Sequence, residues 1–446
     1  MSNSSFEYRI PFGKKEIVAD FSGGSLSSDG GHMLLGQVDK RLGLTARLSR
    51  CIRDDRDSGK VRQSTRDMLV QRIFGIACGY EDCNDFDRLR SDPMLKLSVD
   101  REPILGEDLA SQPTLSRLEN SVTARELLLM EEVLVCLFVE RHEASPPTRI
   151  TLDPDATDDP VHGQQELEFF HGYYDCHCYL PLLVYATPDD GEQELLAAVL
   201  RPGNVHAGHR VVSVVRRIVS RLAAAFPQTE IVFRGDAGMA LPEVYDWCED
   251  AGVRYVISLP KNRRLLGLAE EYLHDAEAAY EETGGKVRSF GEFSYAAETW
   301  RHERRVVVKA EVVGKGENPR FVVTNIGGPD AEDIYEFYID RGDVENRIKE
   351  LKGDLLSGKT SCHIFLAKQF RLLLHAAAFV LVQAIRKALS GTELAAAQAA
   401  TIRAKLLKVG ARVKETTRRV WVKLPTSYPY QRAWEIILTR LTPACI

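Results

Sequence analysis

Residues 230–259 constrain the fold most. They read E-I-V-F-R-G-D-A-G-M, then L-P-E-V-Y-D-W-C-E-D-A-G, then V-R-Y-V-I-S-L. Ile231, Val232 and Phe233 form a short apolar run that stops at Arg-Gly-Asp-Ala-Gly. Pro242 opens a helix, Gly252 closes it, and a second apolar run follows. This is a βαβ unit, and ligands of such units bind at the carboxyl ends of the strands, where Asp236 stands. An Asp beside Gly is also an ordinary turn residue, so the segment alone leaves both readings open.

The order upstream fits the same sheet. R-I-T-L before Asp153, C-Y-L-P-L-L-V-Y-A, and E-L-L-A-A-V-L read as three consecutive antiparallel strands, with P-D-D-G as a turn between the last two. The amphipathic stretch 210–226 then crosses to the strand before Asp236. The first strand runs into R-I-T-L-D-P-D-A-T-D-D-P, which crowds Asp153, Asp155, Asp158 and Asp159 together. Two carboxylates held about 4 Å apart repel by on the order of 4 kcal/mol at an effective dielectric near 20, so a bound cation or a solvated turn is expected. Asp153 and Asp155 share one strand face by the period of two, and Asp153 is the residue at the strand end if Pro154 stops the strand early.

Further on, Y-I-D-R-G-D-V-E-N-R-I-K-E-L-K places Tyr338, Arg341, Glu345, Lys349 and Lys352 on one helical stripe roughly 80° wide. One acid among three bases and a phenol suits a phosphate backbone, although i,i+4 pairs such as Glu345 with Lys349 also occur on ordinary solvated helices.

The spacing of Tyr338, Arg341, Glu345 and Lys352 resembles the signature of the DDE transposases of bacterial insertion sequences, and Asp155-Ala156-Thr157 is similar to the Asp-x-Thr context of that family's first catalytic residue. The resemblance runs from about residue 10 to 440. It implies an α/β fold: a ribonuclease H-like core with a β-rich insertion over about 262–330, between the second Asp and the Glu. It implies that Asp155, Asp236 and Glu345 are the catalytic residues and hold two Mg²⁺, with Mn²⁺ as a substitute. Tyr338, Arg341, Lys349 and Lys352 would contact DNA. The implied reaction is cleavage of double-stranded DNA at terminal inverted repeats and strand transfer into target DNA, with a homodimer in the synaptic complex. Two rivals remain: a nuclease of the same core that joins nothing, and a non-catalytic DNA-binding protein derived from a transposase.

At 446 residues and 44% apolar content the chain can build two or three units with cores. The expected division is a mostly helical 1–145 that binds DNA, a catalytic 146–390, and a basic helical tail 391–446. A helix-turn-helix over 115–128, with Arg117 and Arg125 towards DNA, competes there with a plain helical hairpin. No apolar run of about 18 residues and no leader are read, which points to a soluble protein of the bacterial cytoplasm with no membrane partner. Nine cysteines in no paired framework agree with that compartment. The net charge of −6 argues against coating DNA by bulk charge, yet 401–446 holds ten Lys or Arg against two Glu, with Trp421, Tyr428, Tyr430 and Trp434 interleaved. His162, His171, Cys176, His177 and Cys178 gather without the spacing of a zinc module, and His162, Gly163 and Gln164 read instead as a loop beside the first Asp. His363 and His375 read as buried helix residues.

Overall fold

The computed structural model describes residues 7–57, 59–161, 163–189, 191–314, 316–359 and 362–441, so His162 lies outside the described residues. Contacts group the chain into two compact units. One comprises 123–353 with 357–376, and the other comprises 1–122, 354–356 and 377–446.

A mixed nine-stranded sheet organises the first unit. At its centre, strand Arg149–Ala156 runs parallel to Glu230–Gly235, which runs parallel to Arg254–Leu259. On its other side Arg149–Ala156 pairs antiparallel with Leu182–Pro188, and that strand with Glu194–Val199. The three strands expected as an insertion, Val287–Tyr295, Arg304–Val313 and Arg320–Thr324, form no separate sheet. Arg320–Thr324 pairs with Arg254–Leu259, and the other two follow it in antiparallel order, so they lengthen the same sheet.

Period-two alternation sends Ile150, Leu152, Phe233, Tyr255 and Ile257 into one core, where buried residues of helices Ala124–His142, Val211–Ala225, Pro242–Asp250 and Glu270–Thr283 meet them. Val211, Val214, Val215, Ile218, Val219 and Leu222 supply one apolar stripe at helical spacing. Burying each such side chain contributes about 1.5–3 kcal/mol. On the opposite face Val256, Val307 and Val322 pack against Ala331, Ile334 and Tyr335 of helix Ala331–Ile339. Thr151, Asp153, Asp155 and Arg234 alternate with the first set and belong to this second face.

The other unit joins N- and C-terminal sequence. Ser64 caps helix Thr65–Ala77 by accepting from the Asp67 amide, as its position before the apolar stripe suggests. This region is less purely helical than expected, since it opens on a hairpin, Glu7–Phe12 with Lys15–Asp20. The C-terminal stretch also departs from a helical tail. Ala411–Thr416 and Arg419–Lys423 form a hairpin that pairs with Ser25–Ser27, and only then comes helix Gln431–Leu441. The alternation R-V-K-E and R-V-W-V-K is the strand signal passed over in favour of charge. Trp421 is exposed and able to stack, whereas Trp434 is buried.

Among the described residues one helix, Phe365–Ala388, is long and apolar enough to cross a membrane by length and composition, contrary to the absence read from sequence. It is mostly buried within the protein, which is how a core helix behaves. His375 on it is fully buried, while His363 precedes the helix and is exposed.

Candidate functional site

Pro154 does not end its strand. Arg149–Ala156 stays paired with Leu182–Pro188 through Ala156, whereas its pairing with Glu230–Gly235 stops at Leu152 opposite Phe233. Pro154 has no N–H to give to a ladder, so the two parallel strands part at that level. Asp155 and Asp236 stand at the two carboxyl ends thus separated.

Arg341 joins them. Its Nη2 lies 2.8 Å from Asp155 Oδ2 and 3.8 Å from Asp236 Oδ2, while its Nε is buried without a hydrogen-bond partner among the described residues. Burial lifts the Asp155 carboxyl to about 7. Arg341 opposes that rise, and the negative charges of Asp236 and Glu345 add to it. Asp236 is more open, with 38% of its side chain accessible, and its Oδ1 accepts from the Gly238 amide at 3.0 Å. Glu345 is exposed on helix Gly342–Lys349 and reaches Asp155 through charge.

The acidic cluster is neither a solvated turn nor dependent on a single cation. Each of its four carboxylates has its own basic partner: Asp153 with Arg234, Asp155 with Arg341, Asp158 with Lys352 at 2.6 Å, and Asp159 with Lys368 at 2.8 Å. Asp153 is fully buried, and Arg234 donates to both its oxygens, at 2.6 and 2.9 Å. Arg234 also donates to the Phe337 carbonyl at 2.8 Å and lies over the Phe337 ring, so this pair fastens helix Ala331–Ile339 to the sheet face. Lys352, expected to face DNA, also donates to Thr157 Oγ1 at 3.1 Å.

The expected continuous stripe is segmented. Tyr338 lies in the last turn of helix Ala331–Ile339, Arg341 lies in the step before helix Gly342–Lys349, and Glu350–Asp354 is a π-helical turn that shifts the phase of Lys352. Lys349 is exposed on the second helix. Gly342 follows the step, and this is the sequence sign that the periodicity overrode.

Sequence reasoning passed over the loop 201–210, R-P-G-N-V-H-A-G-H-R. Arg201 is fully buried and holds the loop by donating to the carbonyls of Leu180, Ala207 and His209, each at 2.7 Å. A Cβ at Gly238, two residues past Asp236, would lie 2.7 Å from Ala207 Cβ, so this loop packs directly on the Asp236 turn. His206, His209 and Arg210 are exposed there. Of the gathered His and Cys residues, His177 shares a 2.6 Å hydrogen bond through Nδ1 with Glu168, and Cys178 is buried in strand Cys176–Tyr179.

The donor set is all carboxylate oxygen, which suits a hard divalent cation. Among the described residues no three His, Cys, Asp or Glu side chains converge as a ready metal group, because Arg341 stands between Asp155 and Asp236. The family model for transposase DDE domain group 1 matches residues 10–445. No curated protein sequence matches the chain.

Proposed function

This chain belongs to the transposase DDE domain group 1 family, and from that premise we propose that it cuts double-stranded DNA at terminal inverted repeats and transfers the freed 3′ ends into target DNA by a cut-and-paste route. The observation that carries this reading is the bridging of Asp155 and Asp236 by Arg341 at the carboxyl ends of two parallel strands. Three antiparallel strands followed by two parallel ones support a ribonuclease H-like core around them. On this reading Asp155, Asp236 and Glu345 are the metal ligands. Asp153 is set aside because both its oxygens are taken by Arg234.

Mg²⁺ or Mn²⁺ held there would activate the attacking water or 3′-hydroxyl and stabilise the leaving oxygen. The chain's own residues do the rest. Arg341 neutralises Asp155 and Asp236 before loading, then swings to the phosphate backbone. Lys349 and Lys352 grip flanking phosphates, and Tyr338 touches a phosphate or a displaced base. Two copies act in the synaptic complex, in the bacterial cytoplasm. A strand-transfer assay with a pre-cleaved 3′ end tests the proposal: joined product supports a transposase, and hydrolysis alone favours a nuclease of the same core.

A further inference from the structure

Beside the carboxylates lies a small sheet that the reaction as described does not use. Strand Cys176–Tyr179 pairs on one edge with Asp159–Pro160, at the end of the acidic cluster, and on the other with Phe169–His171. The turn joining the last two strands carries Tyr173, 85% exposed, and Tyr174, and Phe170 on the adjoining strand is 52% exposed. The rings form a ladder: His171 and Tyr174 stand 5.0 Å apart, and Tyr174 and Tyr173 also 5.0 Å apart, edge to face. Exposed aromatics gathered on one hairpin mark a contact surface rather than chance.

Its position says what the contact is. A Cβ at Gly203 would lie 2.0 Å from the Cys178 carbonyl oxygen and 2.7 Å from that of Phe169, so the loop 201–210 sits against the hairpin at one end. The same loop sits against the Asp236 turn at Gly238, and there it exposes His209 and Arg210. Aromatic rings on one side, and on the other the Arg210 guanidinium with the His209 imidazole, whose neutral form is favoured by desolvation and by the nearby Arg201 and Arg210, therefore flank the same pair of carboxylates. Burial lifts the Tyr174 phenol to about 12, with the charges of Asp158, Asp155 and Asp236 contributing, which puts its ring within electrostatic reach of the site. A surface with π-faces on one side and a guanidinium beside a hydrogen-bonding imidazole on the other matches a nucleic acid strand with unstacked bases.

We propose that the hairpin 169–179 is a stacking shelf, on which Tyr173 and Tyr174 receive a base unpaired from the DNA beside the scissile phosphate, while Arg210 and His209 hold the adjoining backbone. This rests on the reading of the carboxylates as a phosphodiester site. It adds a residue set that distinguishes an opened strand from intact duplex.

The test compares binding of two twelve-nucleotide single strands by the full chain, one of thymines with a central 2-aminopurine and one with abasic sites throughout. The expected result is a preference for the base-bearing strand of roughly tenfold, with altered 2-aminopurine fluorescence on binding. Tyr173→Ala, at a position too exposed to threaten folding, and Tyr174→Ala should remove most of this preference, and Tyr173→Phe should keep it. An equal loss for both strands, or a preference untouched by either alanine, would overturn the shelf. So would a change in Tyr173→Ala from dimer to monomer by light scattering with the base preference intact, since the patch would then be a contact between copies. Duplex cleavage measured on the same proteins separates the two claims. If the parent protein never cuts yet its base preference depends on Tyr173, the phosphodiester reading fails alone; if it cuts and the preference ignores Tyr173, the shelf fails alone.

Discussion

Arg341 Nη2 stands 2.8 Å from Asp155 and 3.8 Å from Asp236, so one guanidinium balances two carboxylates that would otherwise repel across the parted strands. A cation entering that space must displace it. Arg341→Ala is therefore expected to bind Mn²⁺ roughly tenfold more tightly at pH 8, by isothermal titration, while losing DNA cleavage. Unchanged or weaker Mn²⁺ binding would show that Arg341 does not compete.

Asp153 and Asp155 are two residues apart on one face and burial lifts both carboxyls, but neutralisation leaves different things behind. Arg234 loses a partner that holds two of its nitrogens, whereas Arg341 keeps Asp236 and Asp155 sheds the repulsion of Asp236 and Glu345. Asp153→Asn leaves Arg234 buried without its carboxylate and is expected to cost about 3–5 kcal/mol in urea unfolding. Asp155 has its folded pKa raised to about 7, so folding disfavours its ionised form. Its contribution is most favourable at acid pH and declines as pH rises from about 4 to 7. Asp155→Asn removes that penalty and should be neutral to stabilising at pH 8, with the gain over the parent shrinking towards pH 4.

Glu311, on strand Arg304–Val313, is the opposite case. Burial works against its charge, yet Lys286, Asn318 and Lys309 outweigh it and hold the carboxyl at about 2. A depressed folded pKa gives stability that is complete above the ordinary value near 4.5 and lost as pH falls towards 2. Glu311→Gln should therefore be less stable than the parent at pH 7 by about 1–2 kcal/mol, less than the full shift because Lys286 lies half in solvent, and the gap should close by about pH 2. A gap independent of pH would assign the loss to packing.

Lys349 and Lys352 should separate in salt titrations of DNA binding. Each phosphate contact adds about 0.9 to the slope of log affinity against log salt. Lys349→Ala is expected to lower the slope by about that amount. Lys352→Ala should lower it less, because Lys352 must first give up Asp158 at 2.6 Å. Equal effects would mean that the Asp158 pair opens freely.

Much of the sheet was legible because its information is local. Apolar runs and turn residues place the parallel strands around Asp236, the antiparallel ones after Asp155, and the added strands from Val287 to Thr324. That Asp236 closes a strand was likewise readable from where the apolar run stops. The run before the acidic cluster stops at Leu152, and in the sequence only the resemblance of Asp155-Ala156-Thr157 separates Asp155 from Asp153. The pairing of four Asp with Arg234, Arg341, Lys352 and Lys368 was not, since those cations come from remote segments and only tertiary packing selects them. The step at Arg341 escaped because charge periodicity continues across it. The loop 201–210 escaped because its role depends on Gly203 and Gly208 lying flat against other backbone, which no local pattern announces.

The most direct test of the central claim is Mg²⁺-dependent cleavage of duplex DNA carrying the flanking terminal repeats, comparing the parent with Asp155→Ala, Asp236→Ala and Glu345→Ala. The account predicts that all three lose cleavage while still shifting the DNA in a gel. A parent protein that binds the repeats but cuts them under no divalent ion, or a Glu345→Ala variant that cuts as well as the parent, would contradict it.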